Sequence, residues 1–367
     1  MPDSIAFSAA DAGLMSRALR LARRGINTTQ PNPRVGCVLA TDDRVVGEGW
    51  HQRAGEPHAE INALRAAGSA ASGATAYVTL EPCSHHGKTP PCADALIDAG
   101  VVRVVIAIGD PNPAVAGEGI ARLEAAGIPV EVGLMAAEAG ALNRGFIARV
   151  TRGRPFVTLK VAASLDGATA MASGESQWIT GAEARRDVQR LRASSGAILT
   201  GVGTVLADDP ALTVRDGLSG ERQPVRAIMD SRLGTPPTAK LLREPGETLI
   251  YCVDDKGRAV LEQAGATVTK LPAENGRVDP AAVLEQLAGQ GVNDVLVECG
   301  PALAGALLAG EHVDELVIYQ APHIMGSNTH RIAETPGWSA LSDRLALSIS
   351  DVRQIGNDLR ITARPAD

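Results

Sequence analysis

No apolar run in the chain reaches the roughly 18 residues of a membrane span, although 45% of its side chains are hydrophobic, so a bilayer-embedded helix is not expected. Residues 1–10 carry Asp3 and no basic cluster, which speaks against a secretory signal or an Arg-rich transit peptide and predicts a cytoplasmic location. An excess of positive charge is also missing. The 35 basic and 42 acidic side chains leave a net charge of −7, which disfavours a nucleic-acid partner and favours a small-molecule substrate. Cysteine is scarce and odd in number, at five, so no disulfide framework is expected and a reducing compartment suits the chain. Cys37, Cys252 and Cys299 lie in or beside apolar runs and read as ordinary buried cysteines. The GxGxxG fingerprint of a standard dinucleotide site is absent, and no repeat connects the two halves.

What is present is alternation of helix and strand over a length, 367 residues, that favours two domains. A helix over 9–24 places Leu14, Ala18, Leu21 and Ala22 on one face and stops at Gly25. Strands over 35–40 and 45–50 flank the polar turn Thr41, Asp42, Asp43, as in a hairpin. Helices over 58–67, 92–99 and 120–126 then alternate with strands over 76–80, 101–108 and 129–132, which predicts an open sheet covered on both faces. The basic stretch 149–155, containing Gly153 and ending in Pro155, marks a boundary between domains 1–148 and 149–367. Beyond it a strand over 156–163 leads into helices over 182–192, 258–264, 280–287 and 301–309. These alternate with strands over 197–200, 225–230, 248–253, 294–298, 315–320, 345–352 and 359–363. An edge strand such as 345–352 can pair or pack between subunits, and a homo-oligomer is expected.

The densest chemistry lies in His58, Ala59, Glu60, followed by Pro82, Cys83 and then Cys92. One imidazole and two thiolates supply three zinc ligands, leaving the open fourth position that a catalytic zinc requires, and Glu60 supplies a proton shuttle that is not a ligand. His58 begins a helix after Pro57, so its ring and the Glu60 carboxylate can face one pocket, and Cys92 opens a helix after Pro91. Helix N-termini favour thiolates, the metal-binding form. Eight residues separate the cysteines where the general deaminase pattern has two, and they include His85, His86 and Lys88. Either loop histidine is an alternative ligand. A His two or three residues from Cys83 would crowd the metal, which favours His58 and leaves His85, His86 and Lys88 to an anionic substrate. In the second half, Glu298, Cys299, Gly300, Pro301 and Gly305 end a strand and open a helix, a place where backbone amides accept phosphate.

The run from Pro82 through Cys92, with Pro31 to Gly36 and Gly49 to Glu60 upstream, resembles the riboflavin-biosynthesis deaminases, a branch of the cytidine-deaminase-like family in which the long gap is normal. The stretches 159–167, 173–180 and 201–215 resemble the reductase half of bifunctional riboflavin deaminase-reductase proteins. Together these resemblances imply an α/β protein with an N-terminal cytidine-deaminase-like three-layer domain and a C-terminal dihydrofolate-reductase-like domain. They imply zinc-dependent removal of the 2-amino group from a diamino-hydroxypyrimidine ribose phosphate, then NADPH-dependent reduction of the ribose to a ribityl chain. By the same resemblance, Asn32 and His51 help hold the pyrimidine. Ala162, Trp178, Thr204, Asp208, Ser231 and the turn Gly300, Pro301, Ala302, Leu303, Ala304, Gly305, Ala306 line the NADPH site. Ser176, Arg192, Leu212, Arg215 and Glu298 face the substrate, the arginines because guanidinium forks match phosphate oxygens. Lys160 lies near that site without a role fixed by spacing. A nucleic-acid deaminase with an accessory domain fits the charge poorly, and a non-catalytic zinc-stabilised binding protein has no use for Glu60.

Overall fold

The structure, a computed structural model, describes residues 7–84, 91–113, 115–215, 217–218, 222–335, 337 and 339–366. His85, His86 and Lys88 lie outside the described residues. The chain forms two compact units, Met1–Gly153 and Arg154–Asp367.

In the first unit, Ser8 and Asp11 close a reciprocal capping box that starts α1 (Ala9–Ala22). The next residues tighten into a 3₁₀ turn, Arg23–Gly25, where the sequence predicts continued helix. Strands β1 (Gly36–Thr41) and β2 (Arg44–Trp50) form the expected hairpin. Its turn residues Asp42 and Asp43 both take positive φ, 47° and 62°, which matches the twist of a two-residue connection. Then follow α2 (Ala59–Ala67), β3 (Thr75–Val78), α3 (Cys92–Asp98), β4 (Arg103–Ile106), α4 (Glu118–Ala125) and β5 (Val130–Val132). The sheet runs β2-β1-β3-β4-β5, antiparallel on the hairpin side and parallel beyond β3. Alternate strand residues bury against opposite faces. Cys37, Leu39, Val78 and Ile106 pack with Ala59, Ala63, Leu96 and Leu123 of α2, α3 and α4. Val38, Ala40, Tyr77 and Val105 pack with Leu14, Met15 and Ala18 of α1 and with Ala139.

The stretch read as an interdomain break is helical over its first residues. Helices α5 (Ala136–Leu142) and α6 (Arg144–Arg152) were not legible as such, and the division falls after Gly153 rather than after residue 148. Arg149 and Arg152 sit in the last turn of α6, where cations complement the helix dipole, and Gly153 caps it at φ 69°.

The second unit is built on a nine-stranded sheet. Its elements are β6 (Phe156–Ser164), β7 (Ala168–Met171), α7 (Ala182–Ser194), β8 (Ala197–Gly201), α8 (Val202–Asp208), β9 (Val225–Met229), β10 (Thr248–Cys252), α9 (Arg258–Gln263) and β11 (Thr267–Lys270). A small hairpin, β12 (Ala273–Glu274) and β13 (Arg277–Val278), precedes α10 (Pro280–Gly289), β14 (Asp294–Glu298), α11 (Pro301–Ala309), β15 (Glu315–Ala321), β16 (Thr329–Arg331), β17 (Leu347–Ile355) and β18 (Asp358–Pro365). The order is β11-β10-β9-β8-β14-β6-β15-β18-β17, parallel from β11 to β15 and antiparallel over the last two strands. Central strands buried on both faces read as near-continuous apolar runs, as in Val295–Val297 of β14. Their carboxyl ends, where open α/β sheets bind ligands, carry Glu298, Gly201 and the C-terminal half of β6.

Candidate active sites

His58 is the N-cap of α2 at φ −69° and ψ 168°, and its side chain makes no capping hydrogen bond. The imidazole turns instead to the two cysteines, with Nδ1 3.6 Å from Cys83 Sγ and 3.3 Å from Cys92 Sγ. The Cys92 N–H donates to Cys83 Sγ at 3.3 Å, and the Ala93 N–H to the Cys83 carbonyl at 3.1 Å, so the opening of α3 carries both sulfurs. The three donor atoms lie within 4.8 Å of one another. Tetrahedral zinc, with bonds of about 2.3 Å to sulfur and 2.0–2.1 Å to nitrogen, needs a sulfur-to-nitrogen edge of roughly 3.6 Å, close to the two observed here, so the donor set suits the ion.

The ionisation of the group points the same way. The hydrogen bond from Cys92, outweighing burial and aided by His58, pulls the Cys83 thiol down to about 4. The hydrogen bond to Cys83 and burial push the Cys92 thiol up, opposite to its neighbour. A divalent ion removes that conflict. Glu60, in the first turn of α2, is only 3% exposed, and burial raises its carboxyl to about 7 against the opposing pull of His58.

His51 and Asn32 stand beside this set. The His51 ring lies edge-on to His58 with centroids 5.4 Å apart, its Nδ1 3.2 Å from the Pro57 carbonyl and its Nε2 3.0 Å from Asn32 Nδ2. That pairing puts the proton on Nδ1 and makes Nε2 the acceptor of the Asn32 amide. Burial also lowers the His51 pKa, which agrees with a neutral ring.

Two residues of this unit escaped the sequence reading. Asn143, at the junction of α5 and α6, clamps residue 34: its Oδ1 accepts from the Arg34 N–H at 2.7 Å and its Nδ2 donates to the Arg34 carbonyl at 3.0 Å. Glu81, 5% exposed, accepts four backbone N–H groups, from Asp110 and Gly117 at Oε2 and from Gly119 and Ile120 at Oε1, at 2.9–3.2 Å. Its place just ahead of Pro82 and Cys83 was a signal, but its partners lie 29–39 residues away.

In the second unit Lys160, Arg192 and Glu298 come together from β6, α7 and β14. Glu298 stands opposite Lys160 in the strand register, and the Lys160 Nζ is 4.0 Å from its Oε2. Arg192 grips the same carboxylate with two hydrogen bonds, of 2.6 Å through Nε and 3.0 Å through a terminal nitrogen, and its other terminal nitrogen donates to the Thr213 carbonyl at 3.0 Å. Burial alone would raise the Glu298 pKa; Arg192, Lys160 and Arg215 outweigh it and hold the carboxyl low. Burial pushes Lys160 down, Glu298 opposes it, and Arg192 adds to it. Arg192 is therefore committed to a carboxylate, which differs from the expectation of a fork open to phosphate. Arg215 is exposed at the side chain, and its backbone N–H donates to Gln189.

The remaining expected residues are more dispersed. Ser176 Oγ is 3.5 Å from Asp208 Oδ1, while Leu212 is 3% exposed at φ 47°. Trp178 is 69% exposed, with the Arg185 guanidinium 4.6 Å above its ring. Ala162 on β6 and Thr204 on α8 are half-buried, and Ser231 Oγ accepts from the Val278 N–H at 3.0 Å. Gly300 caps α11 ahead of Pro301, and Ala302 and Leu303 are half-buried. Ala306 is exposed, Ala304 belongs to the hydrophobic core, and a Cβ on Gly305 would lie 1.8 Å from the Glu334 carbonyl oxygen. Close packing accounts for Gly305.

Comparison with known proteins agrees with this division. Residues 8–108 match the cytidine and deoxycytidylate deaminase zinc-binding region, and residues 155–361 match the RibD C-terminal domain. The riboflavin biosynthesis protein RibD of Escherichia coli is 52% identical, with 95% of this chain and 98% of that protein covered. The structure of Acinetobacter baumannii RibD superposes with a TM-score of 0.92 at 44% identity, over 98% of this chain and 99% of that one. A Thermotoga maritima diaminohydroxyphosphoribosylaminopyrimidine deaminase/5-amino-6-(5-phosphoribosylamino)uracil reductase superposes at 0.86 and 34% identity, over 97% and 99%. With a zinc-site deaminase unit followed by a reductase unit over nearly its whole length, the chain belongs to the RibD family of bifunctional riboflavin-biosynthesis enzymes.

Proposed function

We propose that the chain hydrolytically removes the 2-amino group of a diaminohydroxy-phosphoribosylaminopyrimidine in the unit ending at Gly153. The unit from Arg154 then reduces the ribose of the product to a ribityl phosphate chain. The observation that carries this reading is the His58, Cys83, Cys92 set with the buried Glu60 beside it. Zinc held by these three residues would supply a Lewis acid and a water ready to lose a proton near pH 7. Glu60, buried beside the three donors, can take a proton and return it to the departing amine, so one side chain serves both transfers. His51, fixed by the Pro57 carbonyl, orients the Asn32 amide so that its Oδ1 is offered to a ring N–H of the pyrimidine.

In the second unit NADPH would supply the hydride. Ala162, Trp178, Thr204, Asp208, Ser231 and the backbone of Gly300–Leu303 would bind it, and Ser176 and Leu212 would flank the substrate. Lys160 and Glu298 would contact the sugar. Arg192 holds Glu298 in place, which leaves Arg215 as the guanidinium offered to the phosphate. The acidic balance favours this small molecule over nucleic acid. The described helices include none long and apolar enough to cross a membrane, and a cytoplasmic location belongs to the same reading. So does a homo-oligomer, in which the edge strand β17 with exposed Ile349 and Val352 would pair or pack between subunits.

The test supplies the diaminopyrimidine ribose phosphate and follows ammonia and NADPH separately in the wild type and Glu60→Ala. Ammonia release that survives in the variant overturns the shuttle. Deaminated substrate that drives no NADPH oxidation overturns the second assignment.

A further inference from the structure

A two-residue gap between paired cysteines places both sulfurs on one turn of chain, so the backbone itself sets their separation. Here eight residues intervene, and the cysteines are joined only by two contacts across the gap, the Cys92 N–H to Cys83 Sγ at 3.3 Å and the Ala93 N–H to the Cys83 carbonyl at 3.1 Å. An unconstrained segment of this length has many conformations, and holding its ends together carries an entropic cost. Those two bonds tie the cysteines to each other, and holding the two segments that carry them takes a further restraint.

Helix α4 provides it. On the upstream side, Glu81 accepts the N–H groups of Gly119 and Ile120 in the first turn of α4, of its N-cap Gly117 and of Asp110 in the preceding loop. The Pro82 carbonyl oxygen presses on Gly119 so closely that a Cβ there would lie 2.0 Å away. Ser84 Oγ donates to Glu118 at 3.0 Å, and the Ser84 carbonyl accepts from Arg122 at 3.2 Å. On the downstream side Arg122 pairs with Asp94, two residues into α3 from Cys92. Arg122 therefore holds Ser84 and Asp94 at once, one beyond each cysteine, and forms a strut across the base of the long gap.

From this geometry we infer that α4 is the gauge that sets the sulfur-to-sulfur distance of the metal site, with Glu81 and Arg122 as positioning residues that never touch the metal or the substrate. The inference rests on zinc binding at His58, Cys83 and Cys92. Groups that orient ligands from behind typically contribute about 10- to 100-fold to metal affinity.

The experiment measures zinc affinity of the full chain by competition with a chelator and records the thiolate-to-cobalt absorption of the cobalt-loaded protein. It compares the wild type with Arg122→Ala and Glu81→Gln, the latter placing an amide N–H against backbone donors. Arg122→Ala is expected to weaken zinc binding about 10-fold and Glu81→Gln up to about 100-fold, with a weaker or shifted cobalt band in both. The metal-free chains should melt together. Wild-type affinity and spectrum in Arg122→Ala overturn the proposal, and that variant alone decides if Glu81→Gln does not fold. Affinity that falls only in step with metal-free stability overturns it as well, by assigning both residues to general folding. A wild-type chain that takes up no zinc removes the metal assignment itself, and the gauge with it.

Discussion

The two sites store their chemistry differently along the chain. In the first unit the metal donors stand where local structure ends or begins: His58 caps α2, Cys83 follows the loop after β3, and Cys92 is the first residue of α3. In the second unit the charged centre is assembled by sheet register and a helix packed on it, and Arg192 meets Glu298 across 106 residues of sequence. One site depends on element ends, where side chains and backbone donors converge by default. The other exists only once parallel strands β6 and β14 align. Loss of a single group should therefore act locally in the first case and disturb the packing of a buried charge in the second.

Metal removal tests that contrast most severely. A chelator should abolish ammonia release and leave NADPH oxidation on deaminated substrate unchanged; a parallel loss of both would show that the sites are not separable. Glu60→Gln comes next, with ammonia release expected to fall by about 10²–10⁴-fold at unchanged NADPH oxidation. In the second unit Arg192→Leu leaves Glu298 buried without its two-pronged partner, a change that typically costs about 3–5 kcal/mol in urea unfolding. The triple variant Lys160→Met, Arg192→Leu, Glu298→Leu, which leaves no charge of the cluster stranded, should recover much of that loss, and no recovery would place the damage elsewhere than in the stranded carboxylate.

The smallest effect concerns a buried charge that serves only the fold of the first unit. Asp11 accepts from Arg103 at 2.8 Å and from Tyr77 at 2.7 Å, and the Arg103 guanidinium holds its carboxyl well below the usual carboxylate range. Because the folded-state pKa is the lower one, the stabilisation is complete above about pH 4 and is lost as pH falls through the folded value. Asp11→Asn should remove about 1.5–3 kcal/mol at neutral pH and flatten the acid limb of the stability curve. An unchanged acid limb would assign that limb to other carboxylates.

The same contrast explains what could be read in advance. That His58, Cys83 and Cys92 come together was legible because their residue types, and the places of His58 and Cys92 at helix starts, are recorded in the sequence. The strand over 294–298 and the helix over 301–309 were legible from an apolar run followed by Gly300 and Pro301. Residues 149–155 contain the division, after Gly153, but not the helix that fills their first half, since Arg, Gly and Pro mark a linker and equally the dipole-matched end of a helix. The commitment of Arg192 to Glu298 left no trace, because a salt bridge between distant segments has no periodicity. Glu81 was hidden for a related reason: its partners are backbone N–H groups, which every sequence supplies.

The sulfur pair has one more consequence, concerning electrons rather than protons. The hydrogen bond with Cys92 pulls the Cys83 thiol down toward its thiolate form, and a thiolate next to a second sulfur is the reactant pair for disulfide formation once an oxidant is present. The ion that completes the site therefore also occupies the lone pairs through which it would be oxidised. A chain stripped of its metal in air has two fates: reloading, or closure of a bond that only a reductant reopens.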